Sequence, residues 1–393
     1  MSEAFDVIVI GAGISGTSTA CQLARDGHSV VVIDRFGPAA MASGWSLAGV
    51  RQSGRHPAEL PMAKAAVEMW ANLDEDLGAP THYTRKGNVR LARNEDEYGQ
   101  IRKMVDAQTA EGLDLVFLPD NGTLRDIAPA VSPHIPGASF CPTDGHADPH
   151  ASVAAFAGAA TRAGAVFRNG EDVVAITVSG DRVTGVTTDK GSYSAPRVVL
   201  AAGGLGTSLL KPLGLNVPID MNMVTVIRTA PVEHVLDQVI GVATGNWAGR
   251  QEVTGRFRVT SGGQPWHGSI SVRDGVQGPR PAVHPPMATL AQVVEQMERL
   301  LPGTTGYPVE EIWAGLIDMT PDALPVLDHA PGIDGLVIGM GFSGHGFCLG
   351  PVTGQILSAL AVGADPGFDL TPFVATRFND LTNRPPEDMT LHG

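Results

Sequence analysis

The sequence predicts an α/β fold in two lobes, one of them built on a parallel sheet. Three observations carry this prediction. A strand, a glycine turn, a helix and a second strand follow one another at the N-terminus. A second buried strand that leads into paired glycines occurs near the middle of the chain. The length of 393 residues exceeds what one hydrophobic core usually serves.

The N-terminal unit supplies the clearest local signals. Its first residues, Phe5 to Ile10, form a short apolar run typical of a strand buried on both faces. Apolar residues then recur at helical spacing, and Gly27 follows as a C-terminal helix stop. A second apolar run ends at Asp34. The order strand, helix, strand indicates a parallel βαβ unit.

The turn of this unit has the spacing G-x-G-x-x-G, formed by Gly11, Gly13 and Gly16. The first glycine permits a tight turn, the second lets a pyrophosphate approach the backbone, and the third lets helix and strand pack closely. Asp34, 18 residues after Gly16, can accept both hydroxyls of an adenosine ribose. The unit therefore predicts a dinucleotide site, and a purely structural βαβ turn is the alternative.

Apolar periodicity predicts the later elements in chain order. They are a helix over Pro61–Leu77, a strand over Asn88–Ala92, a charged helix over Glu95–Glu111, a loop-rich passage over Thr123–Pro149, a helix over Ser152–Ala163, strands over Ala165–Arg168, Asp172–Val178, Arg182–Thr188 and Ser192–Tyr193, a buried strand entering glycines over Arg197–Gly204, a helix over Thr289–Leu301, a strand over Leu336–Ile338 and a helix from near Pro351 to Val362.

The pattern typical of a dinucleotide-binding fold is interrupted in two stretches of the chain, which predicts that the cofactor lobe is discontinuous in sequence. Residues 1–80, 150–215 and 329–375 are expected to form the cofactor lobe, and residues 81–149 and 216–328 the substrate lobe. Residues 376–393 are expected to be a C-terminal tail. Asp318 and Asp322, in the sequence LIDMTPDAL, are predicted to be turn residues.

Composition and charge exclude several classes of function. The net charge of −14 argues against nucleic acid, whose binding needs clustered Lys and Arg. The three cysteines are far apart and form no C-x-x-C, so neither a disulfide framework nor a metal site is expected. No apolar run is long enough for a transmembrane helix, and no basic segment precedes the first strand. We therefore expect a cytoplasmic location.

Four motifs, in the same order, resemble the D-amino-acid oxidase superfamily of flavoproteins. They are FDVIVIGAGISG at the N-terminus, VVLAAGG in the middle, TPDALPVL at Thr320–Leu327 and GFSGHGF at Gly341–Phe347. The likeness is strongest to glycine oxidase, to sarcosine oxidases and to the β-subunits of proline, hydroxyproline or opine dehydrogenases. It implies a Rossmann-like FAD-binding lobe of the glutathione-reductase type and a discontinuous α+β substrate lobe built on a mixed sheet.

The resemblance also implies which residues bind FAD. The glycine turn would meet the pyrophosphate, Asp34 the ribose and Val173 the adenine, and the loop GFSGHGF would face the flavin pyrimidine ring. A helix N-terminus would also face the ring, where reduced flavin carries negative charge. The implied cofactor residues are Gly11, Gly13, Ile14, Ser15, Gly16, Asp34, Arg35, Ser43, Ala48, Gly49, Val173, Ala202, Gly203, Gly341, Gly344, His345, Gly346, Phe347 and Cys348.

The chain departs from the family pattern at two positions. Sarcosine oxidases attach FAD through a cysteine where this chain has Gly315, so non-covalent FAD is expected. They also have a substrate-binding lysine where this chain has Cys348, which we interpret as a buried small residue rather than a nucleophile. The stretch AGVRQSG resembles the segment whose arginine binds the substrate carboxylate, so Arg51 is a predicted catalytic residue; a surface salt bridge is the alternative. His345 is the second predicted catalytic residue; the alternative is that it is only a packed histidine that donates to the backbone.

The resemblance implies an FAD-dependent oxidoreductase that takes a hydride equivalent from a carbon bearing an amine. Secondary or cyclic amino acids such as sarcosine, proline, hydroxyproline or opines are the expected substrates, and the imine product would hydrolyse in water. The alternatives are a 2-hydroxy-acid dehydrogenase, a nicotinamide enzyme, and a catalytic subunit that needs partner subunits. The five lysines all precede residue 212, so the second segment of the substrate lobe has none, and the lysine that the resembling sarcosine oxidases supply for the oxygen reaction is missing. A dehydrogenase that reduces a quinone, a dye or a partner subunit is therefore favoured over an oxidase.

Overall fold

The N-terminal strand Val7–Ile10 lies inside a six-stranded sheet in the computed structural model, which describes residues 3–273 and 280–379. All four of its residues are buried, as their apolar run predicts. Five strands are parallel and one edge strand is antiparallel. From edge to edge the order is Val326–His329, Leu336–Met340, Val198–Leu200, Val7–Ile10, Val30–Asp34 and Val166–Asn169.

Two long helices lie close together against this sheet, Ile14–Arg25 and Gly346–Val362. Their contact requires glycine, because a Cβ at Gly350 would lie 2.3 Å from the Ile14 side chain. The Ser18 hydroxyl, on the first helix, donates to the Gly350 carbonyl at 2.8 Å. This packing places the N-termini of the two helices beside each other at one end of the sheet.

The last long helix begins earlier than the sequence indicated. It was expected near Pro351, but it begins at Gly346, so Pro351 lies inside it. In the sequence, the glycines before Pro351 favour a turn, and proline is favoured in the first turn of a helix. The backbone hydrogen bond from Leu349 N–H to the His345 carbonyl, 3.3 Å, already belongs to the helix. The glycine turn is therefore shorter and ends directly at the helix N-terminus.

A mixed nine-stranded sheet forms the second lobe, and its one parallel pair joins Val239–Val242 to Asn88–Ala92. The long strand Asp220–Thr229 pairs with Val309–Met319 over its whole length. The remaining neighbours follow in the order Gln264–Pro265, Asp220–Thr229, Phe257–Ser261, Trp247–Gln251, Val239–Val242, Asn88–Ala92, Gly137–Cys141 and Val116–Leu118.

Smaller sheets and the other helices complete the described structure. A four-stranded sheet has the order Glu3–Ala4, Ser192–Ser194, Arg182–Thr188 and Val173–Ser179. Two-stranded pairs join Gly49–Val50 to Gly145–His146 and Ser271–Arg273 to Arg280–Ala282. The helices, besides the two long ones, are Ala42–Trp45, Leu60–Trp70, Leu73–Leu77, Glu95–Ala110, Asn121–Ile127, Pro149–Arg162, Thr207–Leu210 and Met287–Leu300.

Three further predictions differ from the structure. The helix expected over Pro61–Leu77 is two helices, which end at Trp70 and begin again at Leu73. The passage expected to be loop-rich contains the strand Gly137–Cys141, an inner strand of the large sheet. Asp318 is not a turn residue but belongs to the strand Val309–Met319, because this strand pairs along its whole length with its neighbour.

The lobe boundaries predicted from sequence stay a prediction. The strands of the six-stranded sheet come from three separate parts of the chain, and the edge strand Val326–His329 begins within the segment expected for the substrate lobe. The tail expected over residues 376–393 lies outside the described residues from position 380 onward. Among the described residues, no helix is both long and apolar enough to cross a membrane.

Candidate functional site

A cavity of about 540 Å³ runs along the carboxyl ends of the parallel strands and on to the large sheet of the second lobe. Ligands bind at this position in open α/β sheets. Thirteen of the predicted cofactor residues contribute to its wall: Gly11, Gly13, Ile14, Ser15, Asp34, Arg35, Ser43, Val173, Ala202, Gly203, Gly344, Gly346 and Phe347.

One end of the cavity is formed by Asp34, Arg35 and Val173. The Asp34 carboxylate accepts backbone N–H groups of Ala12 at 2.7 Å, Phe36 at 2.8 Å and Gly37 at 2.6 Å. A carboxylate has about four lone-pair sites, so about one is left for a ribose hydroxyl rather than the two acceptors that the sequence suggested. Asp34 thus also fixes the glycine turn.

The glycine turn brings backbone close to the cavity. Gly11 has φ +106°, and a Cβ there would lie 2.5 Å from the Ala201 carbonyl oxygen. Gly16 faces away from the cavity, and a Cβ there would lie 2.0 Å from the Gly11 carbonyl oxygen, as the close packing assigned to the third glycine requires. The helix Ile14–Arg25 has no acidic residue in its first turn. Its N-terminus can therefore accept a phosphate.

The helix Gly346–Val362 presents a second N-terminus to the same cavity through Gly344, Gly346 and Phe347. Gly344 has φ +89°, a value that glycine adopts without strain. The first turn of this helix has no acidic residue. The two helix N-termini thus create two places along one cavity where negative charge is stabilised.

Behind the wall lies a buried polar cluster, which we define as Arg51, Arg55, Glu59, Asp144 and His345; each is at most 5% exposed. His345 Nδ1 lies 3.0 Å from a Glu59 oxygen. Burial and the nearby Arg55 lower the pKa of His345 to about 4, so its ring is neutral at pH 7. Burial opposes the Glu59 carboxylate, but the hydrogen bond from His345 Nδ1 and the charge of Arg55 lower its pKa.

Arg51 does not contribute to the cavity wall. Its Nη1 donates to the Ser53 carbonyl at 2.7 Å, and the Ser53 hydroxyl donates to Asp144 at 2.5 Å. Its backbone N–H lies 3.2 Å from the Cys348 sulfur, and burial raises the pKa of that thiol. Arg51 is therefore neither on the surface nor, in this structure, exposed to the cavity. Cys348 is 1% exposed, as expected for a small buried residue.

The remaining predicted residues also lie outside the cavity wall. They are Gly16, Ala48, Gly49, Gly341, His345 and Cys348, together with Arg51. His345 and Cys348 flank the wall residues Gly346 and Phe347, so they lie next to the site without facing it. Which of these residues contact cofactor stays a prediction.

Several wall residues were not predicted. A tryptophan, two asparagines, a threonine and an aspartate come from a short helix, a turn and strands that only the tertiary fold brings together: Trp45, Asn222, Asn246, Thr260 and Asp318. The segment Trp45–Leu47 is fixed to the second lobe through its carbonyls. They accept Trp313 Nε1 at 3.1 Å, Arg258 Nη1 at 2.9 Å and Arg250 Nε at 2.6 Å. Apolar periodicity does not signal such contacts between lobes.

Comparisons with known proteins agree with this geometry. The chain is 27% identical to peroxisomal sarcosine oxidase of Homo sapiens, over 96% of this chain and 97% of that protein. It is 26% identical to a D-amino acid dehydrogenase of Cereibacter sphaeroides, over 92% of each. The structure is similar to glycine oxidase from Geobacillus kaustophilus, with a TM-score of 0.86, 22% identity and coverage of 96% of this chain and 99% of that one.

The family-level comparison covers most of the chain. The sequence model of the family described as FAD dependent oxidoreductase, abbreviated DAO, matches residues 6–360. This range includes both glycine-bearing helix N-termini and the whole cavity wall. The chain therefore belongs to the DAO family of FAD-dependent oxidoreductases.

Proposed function

We propose that this enzyme oxidises the C–N bond of an amino acid or of a secondary or cyclic amine, of the sarcosine, proline, hydroxyproline or opine type. The observation that carries the proposal is the part of the cavity wall that the large sheet of the second lobe and its loops supply. It offers neutral amide and hydroxyl groups from Asn222, Asn246, Thr260 and Ser261 beside the apolar Val224. Such a surface can orient a polar substrate without a nucleophile.

The residues present fit FAD. The adenine end, two helix N-termini without acidic first turns and the glycines between them follow one another along one cavity. When bound, FAD supplies the acceptor for the hydride equivalent. The chain itself positions the substrate carbon and excludes water, and the neutral imidazole of His345 leaves the ring end of the cavity without an added charge. The relatives named sarcosine oxidase and D-amino acid dehydrogenase support an amine substrate.

A role with partner subunits has its own support. The chain is 25% identical to a protein named sarcosine oxidase subunit beta from an Arthrobacter species, over 96% of this chain and 91% of that protein. On this basis we propose partner subunits as electron acceptors; a quinone is the acceptor we propose if the chain acts alone, as a dehydrogenase.

Anaerobic flavin bleaching tests the proposed function. The purified chain is mixed with a panel of N-methyl, cyclic and D-amino acids, and with 2-hydroxy acids, without oxygen or partner subunits. We expect at least one amino acid to bleach the flavin absorbance, because the reductive half-reaction needs only this chain. Bleaching by 2-hydroxy acids alone would contradict the proposal, and so would a lack of bleaching by every amine of the panel.

We expect FAD to be bound without a covalent bond. Position 315 is glycine, and no cysteine or histidine contributes to the cavity wall within residues 3–273 and 280–379. Acid precipitation should leave the yellow colour in the supernatant, and mass spectrometry of the denatured chain should give the mass of the polypeptide alone. Colour in the pellet with a matching mass increase would show a covalent bond.

A further inference from the structure

Asp318 has a position that neither its sequence context nor the family match assigns. It lies next to the end of the strand Val309–Met319 and contributes to the cavity wall. Its Oδ2 accepts the backbone N–H of Gly341 at 2.9 Å. A Cβ built on Gly203 would lie 3.7 Å from the same oxygen. The carboxyl group is therefore between the glycine that follows the strand Val198–Leu200 and the glycine that follows Leu336–Met340.

The carboxyl group has no cationic partner in the described part of the chain, where no ion pair to Asp318 is formed. Burial raises its pKa to about 6, and the N–H groups of Gly341 and Phe342 oppose that rise. A desolvated carboxylate is costly unless hydrogen-bond donors reach it. Backbone N–H groups supply some of these donors, and the side that faces the cavity can receive others from a ligand.

This arrangement repeats that of Asp34. Both carboxylates lie at or next to the last residue of a strand, both accept backbone N–H groups of a glycine turn, and both face the same cavity. At Asp34 the ligand group expected on the free side is a ribose hydroxyl. A second carboxylate of this kind indicates a second set of ligand hydroxyls.

The order of the strands indicates which hydroxyls these are. Along the sheet edge, the wall passes from Asp34 to the helix N-terminus at Gly13, then to Gly203, and then to Gly344 and Gly346. An FAD whose adenosine lies at Asp34 and whose diphosphate lies at the first helix N-terminus continues with its ribityl chain toward Gly203. Its flavin ring then reaches the second helix N-terminus. Asp318 borders the ribityl section of this path.

We propose that the Asp318 carboxylate accepts a hydrogen bond from a ribityl hydroxyl of FAD and thereby contributes to cofactor affinity. A substrate amine is the competing donor, because Asp318 is on the same wall as Ile317 and Asn222. The two assignments differ in what the carboxylate recognises. A contact with the ribityl hydroxyl affects cofactor binding in the absence of substrate. A contact with the substrate amine affects only substrate binding.

Cofactor analogues with apoprotein test the proposal, with flavin fluorescence as the measure of binding. FAD and its 2′-, 3′- and 4′-deoxyribityl analogues are titrated into the wild-type chain and into Asp318→Asn. A hydrogen bond to a charged group corresponds to a factor of about 10 to 100 in affinity. The wild type should therefore bind one analogue about 10- to 100-fold more weakly than FAD, and Asp318→Asn should bind that analogue and FAD with nearly equal affinity.

Asp220→Asn, at an exposed position of the second lobe, is the matched control and should discriminate as the wild type does. Thermal melts of the apoproteins identify variants that fail to fold. If Asp318→Asn fails to fold, Asp318→Glu replaces it; this variant keeps the charge but moves it, so it should lose part of the difference in affinity between FAD and the analogue. If Asp318→Asn weakens the binding of FAD and of all three analogues by the same factor, the carboxylate only holds the Gly341 turn, and the proposal fails. An unchanged FAD affinity with a raised substrate KM would assign Asp318 to the substrate amine and would also overturn it.

Discussion

Replacing Arg51 with methionine should lower the free energy of unfolding by about 3 kcal/mol and slow the oxidation of acid substrates and of their decarboxylated analogues equally. Removing one member of a buried charged pair typically costs about 3 to 5 kcal/mol, because the other charge stays buried. The opposite charge here is the buried Asp144, which Ser53 links to Arg51. Burial raises the pKa of Asp144, and the Ser53 hydroxyl, the Gln52 N–H and the charge of Arg51 oppose that rise. Arg55 and Arg90 repel the charge of Arg51, and the variant removes this repulsion. The expected loss of stability is therefore at the lower end of that range.

This experiment also decides the role predicted from sequence. If Arg51 bound the substrate carboxylate, the loss would be specific for acids and about two orders of magnitude, as a charge-assisted contact in a dry site is worth roughly 2 to 4 kcal/mol. Urea unfolding gives the stability, and the ratio of kcat/KM for an acid and its decarboxylated analogue gives the specificity. Arg299→Met, with 65% of its side chain exposed, is the control and should change stability by less than about 0.5 kcal/mol. A changed ratio at unchanged stability would contradict the structural role.

The sequence predicted those parts of the site that depend on local backbone geometry. Gly11, Gly13 and Ser15 form the turn and helix N-terminus that G-x-G-x-x-G requires, because φ +106° at Gly11 and its close approach to Ala201 exclude a side chain. The parallel order of the central strands also follows from a repeated pattern of apolar strand and glycine. Each of these features involves residues that are neighbours in sequence or share one motif.

The features that the sequence did not predict depend on contacts between distant parts of the chain. Asp318 precedes the letters TPD, which favour a turn, but its pairing with the strand Asp220–Thr229 extends the strand through it. Arg51 and His345 belong to one buried cluster although 294 positions separate them, 345 minus 51. Charges in such a cluster can be assigned partners only when the distant segments that carry them are packed together, so the carboxylate role of Arg51 could not be decided from its motif.

The reduced enzyme should transfer electrons to an added quinone or dye about 100-fold faster than to oxygen, which is the rate effect of one missing electrostatic stabiliser. Negative charge builds up when oxygen takes an electron, so an oxidase benefits from a fixed positive charge near the flavin ring. All five lysines lie in the described part of the chain, and none contributes to the cavity wall. Arg35, the arginine on that wall among the described residues, is at the adenine end and pairs with Asp172 at 2.8 Å.

The remaining cations near the second helix N-terminus do not replace the lysine. His345 is neutral at pH 7 because its pKa is lowered to about 4, and Arg51 and Arg55 lie behind the wall near Asp144 and Glu59. Stopped flow measures the return of flavin colour after substrate reduction, in air-saturated buffer and with the dye. Asn222→Lys places a cation on the wall and should accelerate the oxygen reaction, whereas the control Asn222→Gln should not. Full recovery in oxygen within about a second, with stoichiometric peroxide, would make the wild type an oxidase and would show that a charge behind the wall is sufficient.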